Sequence, residues 1–148
     1  MTVINDEYFY SILKRIAANR DVAIVGYVKE PENTQAYNRA GLIFALEVIL
    51  EEHRKNFGTL WNPLKGRKAL EHKILQKYRW PLEQIRSLTL EDSLFLLQEE
   101  LNFEKLPEQA QKIIKEYRAY RGRIVFPDIR EDDWDPDLFE SLPKQTDW

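Results

Sequence analysis

Residues 33–56 read NTQAYNRAGLIFALEVILEEHRKN, and the spacing of their apolar side chains decides the fold. Tyr37, Ala40, Ile43, Phe44, Leu46, Val48, Ile49 and Leu50 recur at helical intervals, and between Gly41 and Leu50 the helix is apolar nearly all round. Such a segment has to be covered on every side, so it predicts the central helix of a bundle, roughly 33–36 Å long at 1.5 Å per residue. Turn signals bound it. Lys29 to Thr34 (KEPENT) carries Pro31 and Asn33, with Asn33 or Thr34 as cap. Phe57 to Pro63 (FGTLWNP) offers Gly58 as a helix C′ residue and Pro63 as the first residue of the next helix.

The flanking segments have the same period. Asn5 or Asp6 caps a first helix whose Tyr8, Phe9, Ile12, Leu13, Ile16 and Ala17 form one stripe. A third helix, about Leu64 to Tyr78, buries Leu70, Ile74, Leu75 and Tyr78 and turns its bases to water. Pro81 starts a short helix (LEQIRS). Thr89, with Asp92 three residues on, opens another that carries Leu94, Phe95, Leu97 and Leu101. A last helix, about Pro107 to Tyr120, buries Ala110, Ile113, Ile114 and Tyr117 and ends at Gly122. Asp21 to Val28 (DVAIVGYV) is β-branched, but a lone strand would have no partner; strand, short helix and buried extension all stay open.

The expected fold class is therefore all-α: a single-domain bundle of five or six helices around one long central helix. Residues 1–122 form the helical domain. Residues 123–148 form an irregular, acidic C-terminal arm packed on the body, in which Pro127, Pro136 and Pro143 deny long regular structure.

A length of 148 residues suits one domain, which by size scaling exposes roughly 8,000 Å² of the roughly 26,000 Å² its unfolded chain would. The 4 Trp, 7 Tyr and 7 Phe argue against disorder, and the absence of cysteine excludes disulfides and thiolate-bound metals. The N-terminus carries acids where a secretory signal needs bases, and no apolar run approaches the roughly 20 residues of a membrane span. A cytoplasmic location with no membrane partner is the expectation.

Charge is distributed unevenly. Residues 128–148 hold eight acids and two bases, whereas Arg54 to Arg86 holds nine bases and two acids, and Lys112 to Arg123 five bases and one acid. Either the basic surface meets a polyanion, or the arm folds back and neutralises it. Lys65, Arg67, Lys68, Lys73, Lys77 and Arg79, with Trp80 for stacking, mark residues 54–86 as a candidate face for nucleic acid or an acidic partner. A sequence pI near 5.5 weighs against nucleic acid as the main partner. In the arm, Trp134, Leu138 and Phe139 are too apolar for a solvated linker; they pack in cis or dock in a partner's groove.

Catalytic signals are weak. His53 and His72 each stand beside glutamate but form no HExxH, and both read as solvated surface residues. Asp132–Asp133 and Glu99–Glu100 are adjacent pairs whose side chains diverge on a helix. Asn62 to Lys68 (NPLKGRK) has one glycine, too few to cradle a phosphate. No catalytic residue, cofactor or metal ligand is assigned.

Two short resemblances follow from these residues. Tyr78 to Arg86 (YRWPLEQIR) with Leu88 to Asp92 (LTLED) looks like the aromatic–Pro helical segments of small bacteriophage and prophage accessory proteins, tail-assembly ones included. This implies a mobile-element origin and assigns no functional residue. Asp135 to Phe139 (DPDLF) resembles the Leu-Phe peptides recognised by bacterial sliding clamps, without their leading glutamine. The expected function is a non-enzymatic adaptor, inhibitor or assembly protein whose partner is another protein, a second copy of the chain included. The alternative is a nucleic-acid-binding protein using residues 54–86.

Overall fold

The structure, a computed structural model, describes residues 2–142. Arm residues 143–148, Pro143 among them, lie outside the described residues. The described residues are all helical and irregular, with no strand: α1 (Asp6–Asn19), α2 (Glu32–Phe57), α3 (Arg67–Tyr78), α4 (Leu82–Arg86), α5 (Leu90–Leu96), α6 (Glu108–Glu116) and α7 (Leu138–Ser141). Single 3₁₀ turns stand at Phe103–Lys105 and Glu131–Asp133. The all-α bundle read from the sequence is present, with one helix more than expected, because the arm contributes the single turn α7.

Asn5 caps α1, its side chain accepting from the Tyr8 backbone N–H at 2.8 Å, and all six stripe residues are buried. They face α2, with Phe9 edge-on to Phe44 at 5.5 Å and stacked on Tyr117 at 4.5 Å. At α2 the chain also meets α3 and α6. Eight apolar residues and Gly41 line its buried positions, together with four polar residues that the apolar periodicity did not include: Thr34, Arg39, Glu47 and His53. It starts at Glu32, two residues before the expected cap, and Pro31 stands at the N-cap without a side-chain hydrogen bond.

Gly41 lies where α2 meets the chain after α6. A Cβ there would sit 2.4 Å from the Ala119 carbonyl oxygen, so only glycine admits this approach. The same contact explains why α6 stops at Glu116 rather than continuing to Tyr120. Arg118 turns left-handed (φ 55°) and the Ala119 N–H closes on the Ile114 carbonyl at 2.9 Å, which drives Ala119 onto α2.

Other boundaries also moved. α3 begins at Arg67, because Leu64 (φ 61°) and Gly66 (φ 60°) both take left-handed backbone and break the helix. Leu75 and Tyr78 are only half-buried. Thr89 caps α5 as expected, accepting from Asp92 N–H at 3.1 Å, but Phe95 points to solvent rather than joining the apolar face. Residues 21–28 are neither strand nor helix. They form an irregular connection in which only Val22 and Ile24 touch the core.

Candidate functional site

The residues singled out by charge fall into three neighbourhoods, not one face. Lys68 and Lys77 are nine residues apart on α3, two and a half turns, and so point to opposite sides. Arg67 donates to the Leu88 carbonyl at 2.9 Å and approaches Glu131 of the arm at 3.9 Å. Lys77 binds Glu100 at 2.9 Å and the Leu96 carbonyl at 2.9 Å, and that carboxylate raises its pKa. Lys73 lines a cleft between α2 and the turn after α5. Lys65, Lys68 and Arg79 are exposed and form no ion pair among the described residues. Trp80 is half-buried and stacked on Tyr78 at 4.7 Å, so one face of its ring is already taken.

Arm residues turn inward. Trp134 is 3% exposed and donates through Nε1 to Glu47 at 2.8 Å. Leu138 and Phe139 are half-buried against the core, Phe139 edge-on to Tyr8 at 6.1 Å. The Tyr8 hydroxyl donates to the other oxygen of Glu47. Burial pushes the pKa of Glu47 up, against the pull of its two donors; burial and the Glu47 charge push Tyr8 well above its usual value.

A second buried group ties the arm to the body. Asp133, 1% exposed, accepts from Arg39 Nη1 at 2.6 Å, Arg20 Nη2 at 2.8 Å and the Arg130 backbone N–H at 3.0 Å. Arg39 also donates to the Asp128 and Phe126 carbonyls, and the Phe126 ring lies 4.1 Å from the Arg20 guanidinium. Burial opposes the charge on Asp133, yet these donors win and hold its pKa below the usual carboxylate range. Asp133 is thus a structural anchor. Its sequence signal, one of two adjacent acids in a proline-rich arm, gave no hint of the two arginines more than ninety residues away.

The histidines correct the surface reading. His53 is 4% exposed, and its Nε2 lies 2.8 Å from His72 Nδ1, one ring donating and the other accepting. Burial first, then Lys73, His72 and Arg54, push His53 down to about 4. The sequence held a usable signal: His53 falls three residues after buried Leu50 and so shares its side of α2. The adjoining cleft of about 470 Å³ is lined by His53, Phe57, Lys73, Glu100 and Lys105 among others. Among the described residues, no group of three or more His, Asp or Glu side chains converges to hold a metal ion.

Two large apolar side chains stand exposed side by side elsewhere, on the connection from α2 to α3; Tyr27, 96% exposed, stands alone on the loop after α1. Leu60 and Trp61 are each 93% exposed. Their turn is pinned: Thr59 N–H donates to the Asn62 carbonyl at 2.9 Å, and Asn62 N–H to Thr59 Oγ1 at 3.0 Å. Arg54 fixes the far end by donating to the Leu64 and Gly66 carbonyls at 2.8 and 3.0 Å. Gly66 takes φ 60°, where an L side chain is strained, and Asp137 Oδ1 lies 2.7 Å from where its Cβ would stand. An acid of the chain's own arm thus stands at the start of α3, beside the single glycine that was too little to cradle a phosphate. The sequence placed Leu60 and Trp61 in a break between helices, where apolar side chains have no helix face to join, and that was the available signal.

Comparison of the chain with protein-family models, with curated proteins and with solved structures found no match. Among the described residues no helix is long and apolar enough to cross a membrane.

Proposed function

We propose that the chain is a small non-enzymatic interaction protein, an adaptor, inhibitor or assembly factor of mobile-element origin acting in the cytoplasm. It docks a partner protein through the turn bearing Leu60 and Trp61. One observation carries this reading: two large apolar side chains, almost wholly exposed, held out on a turn fixed by its own hydrogen bonds. Exposing them forfeits about 1.5–3 kcal/mol of burial each, which a partner's surface would recover. Tryptophan is also the side chain most enriched at the centre of interfaces, and a preformed turn loses little entropy on docking. Exposed Lys55, Lys65 and Lys68 in and beside the connection favour an acidic partner surface.

The test is affinity capture from the native host with wild-type protein and with Leu60→Ser/Trp61→Ala. The variant should melt within a few degrees of wild type, because neither side chain is buried, and should lose a protein that wild type retains after nuclease treatment. Equal recovery by both would remove the reading.

The alternative, nucleic-acid binding, draws support from the exposed Lys65, Lys68 and Arg79 within residues 54–86, with Trp61 as a stacking platform. It requires binding of a single-stranded oligonucleotide at low salt that weakens steeply as salt rises. No binding at low salt disposes of it.

A further inference from the structure

A groove between α2 and the chain on either side of α6 has a different make-up. Its floor is aliphatic: Leu42 and Ala45 of α2, Leu101, Leu106, Ile114 and Ala119. One wall is the stacked pair Phe103 and Tyr120, with ring centroids 4.9 Å apart at 17°. The hollow is about 270 Å³, near the lower end of ligand pockets and suited to one bulky side chain. Past the aromatic pair it continues into a second hollow of about 290 Å³, bordered by Lys115, Arg118 and Arg121. Among the described residues, no Asp or Glu lines either hollow.

The frame is rigid where it matters. Asn38 donates to the Arg121 and Ile124 carbonyls at 3.0 and 2.7 Å and accepts the Arg121 N–H at 3.1 Å. Gly41 lets Ala119 seat against α2. Arg121 is held by Thr34 Oγ1 and the Arg118 carbonyl, both at 3.1 Å, and Lys115 Nζ lies 5.6 Å from the Phe103 ring centre. A dry floor with cations at one end selects a ligand carrying an apolar group next to negative charge.

We infer that this groove takes an acidic peptide segment of a partner protein. One bulky apolar side chain sits on the aliphatic floor, and neighbouring carboxylates face Lys115, Arg118 and Arg121. This rests on the interaction-protein reading and adds the partner's chemistry at a second site. A nucleobase fits worse: its polar edge would be stripped of water against leucine and isoleucine without hydrogen-bond partners, and the two rings already stack on each other.

The test uses the full chain and synthetic acidic peptides carrying one central Phe, Leu or Trp, read by fluorescence anisotropy. Control peptides replace that side chain by Ala or the acids by Lys. The anchored acidic peptides should bind, at least tenfold more tightly than either control. Tyr120→Ala and Lys115→Glu, both at exposed positions, should each weaken them at least tenfold while leaving the melting temperature within a few degrees. Leu60→Ser/Trp61→Ala should leave peptide binding unchanged, which separates the two sites. The inference falls if no acidic peptide binds, if the Ala-substituted peptides bind equally, or if an oligonucleotide alone occupies the groove. In any of those outcomes, partner capture that still depends on Leu60 and Trp61 would leave the proposed function standing.

Discussion

Glu47 shows what a single residue contributes here and how little of it is visible in isolation. It interrupts the longest apolar run in the chain and nevertheless lies among the buried positions of α2. What the spacing does not contain is the reason a carboxylate is tolerated there: Tyr8, 39 residues away, and Trp134, 87 residues away, both donate to it. The same holds for His53, whose partner lies on another helix. Glu47→Gln keeps an acceptor for Trp134, and its amide can donate to the Tyr8 hydroxyl, while removing the cost of a buried charge. Its urea midpoint at pH 7 should match or exceed that of wild type. Glu47→Ala leaves two buried donors unpaired and should cost about 3 kcal/mol. A Gln variant as unstable as the Ala variant would show that the charge itself is needed.

At the scale of elements, positions inside helices were legible and several ends were not. The α1 stripe could be read residue by residue because each side chain faces one neighbour, α2, and the period alone sets that face. The early end of α6 depends on Ala119 reaching Gly41, a contact across 78 residues that no local signal encodes. Gly41→Ala tests that contact. Alanine should favour the helix by about 1 kcal/mol, yet its Cβ would press on a backbone carbonyl, and net destabilisation of about 1–3 kcal/mol is expected in chemical denaturation. The arm gives the second case. Composition showed that it was acidic and aromatic, but not that Asp133 would be enclosed by α1 and α2 arginines. Asp133→Ala leaves buried Arg39 without a counter-ion and Arg20 with Asp128 alone, and should cost about 3–5 kcal/mol. Removing residues 128–148 should lower the melting temperature more, since it also uncovers the Trp134 site. An unchanged melt in either variant would mean that the arm is dispensable to the fold.

Across the whole molecule, the charge imbalance of the sequence is resolved in an unexpected place. Among the described residues, ion pairs from the arm's acids reach Arg15 on α1, Arg20 at its end, Arg39 on α2 and, on α3, Arg67. The strongest of these arm contacts are with the α1 and α2 arginines, and acid stability should follow the buried groups. His53 titrates near 4 in the folded chain against about 6.5 when unfolded, so the unfolded state binds the extra proton between those values. Stability should fall by up to about 3 kcal/mol as pH drops from 6.5 to 4. Asp133, with its pKa depressed, adds a further loss only below the ordinary carboxylate range. Glu47, with its pKa raised, works the other way, favouring the folded state as it takes up its proton. Denaturation midpoints measured across this range should show a decline beginning near pH 6.5, too high for any aspartate. His53→Gln, which keeps a hydrogen-bonding group toward His72, should flatten that upper part of the curve and leave the decline below pH 4 in place. A His53→Gln curve running parallel to wild type between pH 6.5 and 4 would mean that the His53 imidazole takes up its proton without leaving its buried position.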